Sequence, residues 1–542
     1  MTVKLLRTLT SLVVVAALAA GCATAPEGEE GGSDNVLTYL EPQFFRTLYP
    51  PAAGFYPNGG VVNQLTDRLL YQDPETLELS PWIATELPEV NEDATEYTFN
   101  IRTDVTYSDG SPLTAENVVA NFDLYGLGDS DRTLTASEQI SNYERGEVID
   151  EDTVRFHFSA PSPGFLQATA SYNAGLLSDE SLKLDNEGFG PGNARNVIGS
   201  GPFVVEHEEI GTDLVLKTRE DYDWAPPQAR HQGRAAIDGV HYILAAEESV
   251  RTGAVLSGQA DIARQISAPQ EDLLQSRGVN IVTRGTNSMN NQLAFRFDHP
   301  LLQDQRVREA IIRGIDRQEI LRVLFSDSYP LATSTVAETG RGYKDQGDAY
   351  AYDPDAAREL LAEAGWEPGP DGILTKDGKR LVLRSNTALP QPRSKEVMTM
   401  VQDQLGELGI GVEINAGDQA TQNADAKDID KVQLYHSMVA RADYDAITSF
   451  YSINNRDAFL NQDSAGEPID AHLEQLLDRV VSVTGTQERE QAVQEAQDYI
   501  TEKAYALPLF EEPQVYAVAE GVEGFRPEAV ARPWFYEVEE IN

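Results

Sequence analysis

The only cysteine in the chain, Cys22, closes the tetrad Ala19-Ala20-Gly21-Cys22 behind an apolar run from Leu9 to Ala20, with Lys4 and Arg7 ahead of it. A thiol set after a short positive segment, an apolar stretch and small residues is placed to be alkylated by diacylglycerol, with cleavage before the cysteine. The run is too short to span a membrane as a stable helix. The reading is therefore a signal peptide over 1–21, lipid attachment at Cys22 and a flexible tether over 22–35, which is small, acidic and Gly-rich. Ala19 departs from the leucine that is commonest at its position in such tetrads. Two or three acyl chains, at ~0.8 kcal/mol per buried CH₂, anchor a protein firmly where one does not. The expected location is the outer face of a bacterial cytoplasmic membrane, or the periplasm.

Other constellations point away from catalysis. Glu511 and Glu512 are adjacent, so in a strand their side chains face opposite ways and cannot flank one glycosidic bond. No Gly-x-Ser-x-Gly elbow is present. Gly372 and Gly378 have five intervening residues, and Lys379 is followed by Arg380 where a phosphate loop needs Ser or Thr. His157, His207, His231, His241, His299, His436 and His472 show no paired ligand spacing, and one cysteine makes neither a disulfide nor a thiolate cage. No enzyme activity, resident metal or cofactor is expected. With 42 Lys plus Arg against 88 Asp plus Glu, the net charge of -46 repels a phosphate backbone.

The elements that must position any site are legible in the periodicity. Tyr97, Phe99 and Ile101 alternate with polar residues, as do Val154, Phe156 and Phe158, which predicts two half-buried strands. Asp109-Gly110 supplies a turn and Thr114 an N-cap for a helix beginning at Ala115. Asp353 caps a second helix with Pro354 at its first position, Leu360, Leu361 and Ala364 on one face and Gly365 at its end. Val397, Val401, Leu405 and Leu408 predict a third, stopped by Gly409 and followed by alternating Ile410, Val412 and Ile414. Helical patterns also cover Arg306 to Phe325 and much of Asp470 to Lys503. A chain of 542 residues in which helix and strand recur is of mixed α/β class with two or three domains.

Several of these segments carry a resemblance. Tyr107-Ser108-Asp109-Gly110-Ser111-Pro112-Leu113-Thr114-Ala115-Glu116-Asn117-Val118 is similar to the diagnostic stretch of solute-binding protein family 5, the extracytoplasmic receptors of peptide, nickel and related ABC importers. Gly199 to Phe203, Asp221-Tyr222, Leu256 to Ile262, Arg306 to Ala310 with Ile315 to Arg317, Asp353 to Trp366 and Ala506 to Phe510 match in the same order. The resemblance implies a bilobed periplasmic-binding-protein-like type II fold of the larger, three-domain kind. Lobe I would comprise 36–56, 196–292 and 505–542, an accessory domain 57–195, and lobe II 293–504, with crossings near Asn290 and Tyr505. It further implies a monomeric receptor that captures a peptide-like solute in a hinge-closing cleft and delivers it to an ABC permease with its cytoplasmic ATPase. Alternatives on the same fold are a metal chelate, a sugar or another small solute; those of another class are a secreted hydrolase and a surface sensor. The diagnostic motifs themselves read as turn and core residues, with Arg306 and Arg308 paired to carboxylates.

By the same resemblance, candidate ligand residues lie in three places. The second-lobe stretch from Arg441 to Gln462 offers Arg441 or Arg456 for an anionic group and Asp443 or Asp457 for a cationic one, with Tyr451 and Asn455 nearby. It reads Ser-Phe-Tyr-Ser-Ile-Asn-Asn over Ser449 to Asn455, where the family commonly has an aromatic residue followed by Asp-Pro. The bland alternative pairs Arg441 with Asp443 and Arg456 with Asp457. In the first lobe the candidates are Tyr49, Tyr56 and Asn58, the last two in an expected turn at Tyr56 to Gly60. At the first crossing the amide-rich stretch Thr286 to Asn291 offers Asn287 and Asn290, either to ligand backbone or to the crossing strands. Phe510-Glu511-Glu512-Pro513-Gln514-Val515, at the return crossing, marks a subgroup without naming its ligand.

Overall fold

In the computed structural model, residues 35–388, 391–415 and 417–539 are described; the expected signal peptide, Cys22 and tether lie outside them. Seven strands form the first sheet, in the order Asn280–Gly285, Pro513–Val518, Ile262–Arg264, Val36–Glu41, Gly239–Leu244, Asp213–Thr218, Phe203–Glu209. Val36–Glu41 runs parallel to both its neighbours, so three strands end at the same edge. The second sheet has five strands, ordered Gly411–Ile414, Val382–Ser385, Leu434–Val439, Met289–Phe295, Ala506–Phe510. Met289–Phe295 and Ala506–Phe510 are buried throughout, as expected of strands covered on both faces.

The polypeptide passes between the sheets twice, from Gly285 to Met289 and back from Phe510 to Pro513. The strand Ala506–Phe510 bonds to Met289–Phe295, so both belong to the second sheet. Residues 289–292 and 506–510, expected in the first lobe, thus lie in strands of the second sheet. The amide stretch and the Phe510-to-Val515 stretch are the two crossings.

Between these segments, Glu89–Val90, Glu96–Asn100, Thr153–Phe158 and Tyr143–Val148 make an antiparallel four-stranded sheet. Tyr97 lies opposite Phe156 and Phe99 opposite Val154. The expected alternation is realised, and the helix Ala115–Leu127 covers the inner face with Phe122 centred 4.7 Å from Phe156. The Thr114 hydroxyl accepts the Asn117 N–H at 3.2 Å and the Asp353 carboxylate that of Ala356 at 3.0 Å. Both caps thus stand where local chemistry puts them.

Two long helical patterns are each divided. Residues 306–325 fold as Gln305–Gly314 and Arg317–Leu324, because Asp316 turns outward to cap the second helix through Glu319 N–H at 2.9 Å. Residues 470–503 become Ala471–Ser482 and Thr486–Glu502 around a break at 483–485. Tyr56 to Gly60, expected as a turn, opens the helix Tyr56–Leu65, with Pro57 in its first turn, where a missing N–H costs nothing. Gly199 and Gly201 do more than turn the chain: a Cβ at 199 would strike the Leu65 carbonyl and one at 201 the Leu65 backbone.

The arginines of the diagnostic motifs hold carbonyls as well as carboxylates. Arg306 pairs with Asp304 at 2.7 Å, but Arg308 donates to the carbonyls of Leu302, Gln303, Lys503 and Ala504. Arg317 is buried and donates to Ala332 O at 2.6 Å, Pro508 O at 2.8 Å and Tyr350 O at 2.9 Å, tying a helix to the return strand. Burial lowers its pKa to about 10, so it remains charged at neutral pH. Hydrogen bonds from charged groups contribute about 1.5–3 kcal/mol each, and orphaned buried carbonyls cost comparably. Arg317→Leu is therefore expected to lower the unfolding free energy by about 3 kcal/mol or more, read from urea denaturation; a loss under about 1 kcal/mol would show that the clamp is dispensable.

Candidate functional site

The three parallel strands Val36–Glu41, Gly239–Leu244 and Ile262–Arg264 end at one edge, the edge at which open α/β sheets form crevices. A cavity of about 270 Å³ lies there. Pro42, Gln43, Ala246, Glu248 and Gln265 to Ala268 wall it from the first sheet; Leu324, Phe325, Tyr329, Pro392 and Arg393 wall it from elements on the second. Its size suits a small organic solute.

Buried polar groups hold the walls rigid. Arg251 donates to the carbonyls of Arg264, Ala245, Ala246 and Gln265 at 2.7–3.0 Å, fixing the strand ends. Glu248 accepts the Ser267 N–H at 2.6 Å. Glu271 accepts the hydroxyls of Ser326 at 2.8 Å and Ser328 at 2.7 Å, a direct link between elements of the two sheets. Two non-glycine residues in the left-handed region, Gln265 at φ 59° and Arg393 at φ 56°, are both wall residues. Such strain, of order 1–3 kcal/mol each, persists where surroundings over-determine the backbone.

Arg393 is the cation in this cavity with unspent capacity. Its Nη1 donates to Leu324 O at 3.1 Å, and among the described residues it has no carboxylate within ion-pair distance. It occupies the position before the helix Ser394–Glu407 and makes no side-chain cap. The Ser394 hydroxyl accepts the Ala388 N–H and bonds His436 Nδ1, both at 2.8 Å. Burial holds His436 down at about 3, hence neutral, with Nε2 against Asn291 Oδ1.

Behind the cavity, Arg264 lies over the Tyr56 ring at 4.2 Å and pairs with Glu41 while donating to Gln514 Oε1 at 2.7 Å. Burial opposes the charge on Arg264, but Glu41 holds it above its ordinary value. Asn291 Nδ2 bridges Gln391 Oε1 at 2.7 Å and Glu512 Oε2 at 2.9 Å.

The sequence-derived candidates fall mostly elsewhere. Tyr49 is packed against Tyr125 and Phe189, and Tyr451 donates to Tyr505 O at 3.0 Å within the core. Asn58 accepts the Arg46 N–H, and Asn455 donates to Thr448 Oγ1. Asn287, at φ 52°, donates to Ala529 O at 2.6 Å and Asn290 to Ser334 O at 2.9 Å. The amides are thus spent on the crossing. Tyr56 packs beneath Arg264 and bonds Tyr516 Oη at 3.1 Å. None of these lines the cavity.

The expected pairing of Arg441 with Asp443 does not hold: the partner of Arg441 is Asp445, at 2.5 Å, and Asp443 pairs with Arg489 at 2.6 Å. Both pairs are buried against Gly164 of the accessory segment. Burial pushes Asp445 up to about 6 despite Arg441. Arg456 does stand beside Asp457, at 3.8 Å, and also donates to Met438 O. Burial likewise raises Asp457 to about 6. Asp443 already has its cation, so Arg489→Ala strands a buried carboxylate and is expected to cost about 3–5 kcal/mol in urea denaturation. A change below about 1 kcal/mol would mean that Asp443 is solvated and free for ligand.

Comparison with known proteins agrees with this architecture. The family model of bacterial extracellular solute-binding proteins, family 5 (middle), matches residues 78–459. The glutathione-binding protein GsiB of Salmonella choleraesuis is 25% identical over 494 residues, covering 89% of this chain and 90% of that protein. NikA from Brucella suis, solved with Fe(III)-EDTA, superposes with a TM-score of 0.78 at 21% identity, over 93% of this chain and 99% of that one. The oligopeptide-binding protein AppA from Bacillus subtilis, solved with a nonapeptide, gives 0.77 at 18% identity with the same coverage. The family, the mixed α/β class and the type II binding-protein fold expected from the sequence are those found: the chain belongs to family 5 of the bacterial extracellular solute-binding proteins.

Proposed function

We propose that this protein is the extracytoplasmic substrate-binding component of an ABC importer, capturing a peptide-like solute in the cavity between the two sheets and delivering it to a membrane permease. One observation carries the reading: a wall cavity at the ends of three parallel strands whose second-sheet side presents Arg393 without a carboxylate. A guanidinium so placed suits a terminal carboxylate, since charge-assisted bonds are stronger than neutral ones. Glutathione and a nonapeptide, the solutes in the names of two similar proteins, both carry carboxylates. Lipid attachment at Cys22 would keep a monomeric receptor concentrated beside its permease.

A chelated metal is the second reading, favoured by the same guanidinium and by the likeness to NikA with Fe(III)-EDTA. Direct capture by protein ligands lacks support: among the described residues no group of three or more His, Cys, Asp or Glu is placed to hold an ion. Glutathione, trialanine and Fe(III)-EDTA separate the readings in calorimetry and thermal shift. A probe at 100 times its Kd stabilises by about 2.7 kcal/mol. Arg393→Ala is expected to weaken the binding probe at least tenfold with the melting temperature of the free protein unchanged. Silence of these probes and of wider peptide, sugar and chelate panels would sink the receptor reading.

A further inference from the structure

The accessory segment that carries the four-stranded sheet has no part in the transport reading, yet it touches elements of both large sheets. Arg219 donates to Thr106 O and Trp82 Nε1 to Trp224 O, both at 3.0 Å, which fastens the segment to the first sheet's side. Toward the second sheet it offers a seat for the loop that follows the strand Leu434–Val439. Gln72 Nε2 donates to Ala442 O at 3.0 Å. Arg341, next to the Gly342 carbonyl that Gln497 holds, donates to Leu77 O. Among the described residues of 293–504, Ala442 alone belongs to the apolar core shared by the first sheet and the accessory segment. Gly164 closes the seat. A Cβ there would lie 2.7 Å from Asp445 Oδ2 and 3.3 Å from Asp443 Oδ2, and its nearest atoms all belong to those two carboxylates.

This contact is closely balanced. Asp445 and Asp443 bring Arg441 and Arg489 with them, and all four charges are buried in the seat. Taking such pairs out of water costs nearly what their attraction returns. Asp445 Oδ1, Arg441 Nε and Arg489 Nε are buried without a partner, and water would satisfy all three if the loop lifted. Against this stand the two hydrogen bonds across the contact and the burial of Ala442. Because the polypeptide joins the two sheets through 286–288 and 511–512, contacts of this kind hold their relative angle. We propose that the accessory segment is a latch on the second sheet: Gln72, Leu77 and Gly164 seat the loop Ala440 to Asp445 when the cleft is shut and release it when the cleft opens. The latch would then set how readily an empty receptor opens. Its use rests on the transport reading, in which the shut cleft is the state that holds solute.

The alternative is a permanent contact between rigid parts, and hydrogen exchange of the full chain without solute separates the two. In the wild type, amides of 440–446 should exchange at least tenfold faster than those of the accessory strands Glu96–Asn100 and Thr153–Phe158, because a latch lifts without unfolding what it joins. Gly164 has right-handed helical backbone angles, φ −70° and ψ −11°, so a larger residue suits its backbone and acts across the contact. Gly164→Val should speed exchange over 440–446 a further tenfold or more and leave the two accessory strands unchanged. Where this wedge also speeds the strands, Arg341→Met decides, since it removes one bond from the seat and adds no bulk. A rise of threefold or more over 440–446 supports the latch, and a smaller one overturns it. Equal exchange of 440–446 and the accessory strands in the wild type, or no rise over 440–446 in Gly164→Val, would also overturn it. Trialanine and glutathione should bind Gly164→Val at least tenfold more weakly than the wild type as the shut fraction falls; binding within twofold would refute the coupling to solute. Exchange needs no solute, so silence of both probes on the wild type counts against the transport reading and leaves the latch to the exchange result.

Discussion

The two sheets are joined by two short connections, 286–288 and 511–512, and the backbone there runs through protein rather than water. Every buried N–H and C=O needs a partner, which is why this region is built from amides and buried charges. Asn287 reaches to Ala529 O, Asn290 to Ser334 O, and the Ser288 hydroxyl accepts the Arg441 N–H at 2.8 Å. Asn291 then spans the gap between Gln391 and Glu512. The same requirement places charged groups beside the cavity before any solute arrives.

Arginine serves two purposes in this architecture. Arg251, Arg308 and Arg317 each hold three or more carbonyls at chain reversals, so their charge is spread over main-chain dipoles and they make poor ligand groups. Arg264, Arg441 and Arg489 are neutralised by Glu41, Asp445 and Asp443. Arg393 belongs to neither set.

What the sequence made legible was local. Caps at Thr114 and Asp353, stops at Gly365 and Gly409, and the alternation through Tyr97 and Phe156 depend on residues within a few positions of one another, and the structure has them all. The helix breaks at Asp316 and Val483 stayed hidden because apolar spacing continues across them while the hydrogen bonds do not. Partner choice was less legible still. Arg489 lies 46 residues from Asp443, and only the packing of the helix Thr486–Glu502 against the stretch at Tyr444 brings them together. Arg393 did leave a trace: a Ser at the start of a strongly periodic helix is preceded by an arginine after two prolines, where a turn residue would be usual.

Local rules are broken in the cavity walls. A left-handed arginine and a left-handed glutamine each oppose the preference of the isolated segment. Sequences otherwise agree with their folds at every level. Two such departures on the walls of one cavity each cost of order 1 kcal/mol or more. They are explained if the surroundings were shaped to hold charge and backbone ready for a solute, with that cost recovered on binding. The bland residues of the family motifs, by contrast, meet their preferences in full. They specify the fold rather than the solute.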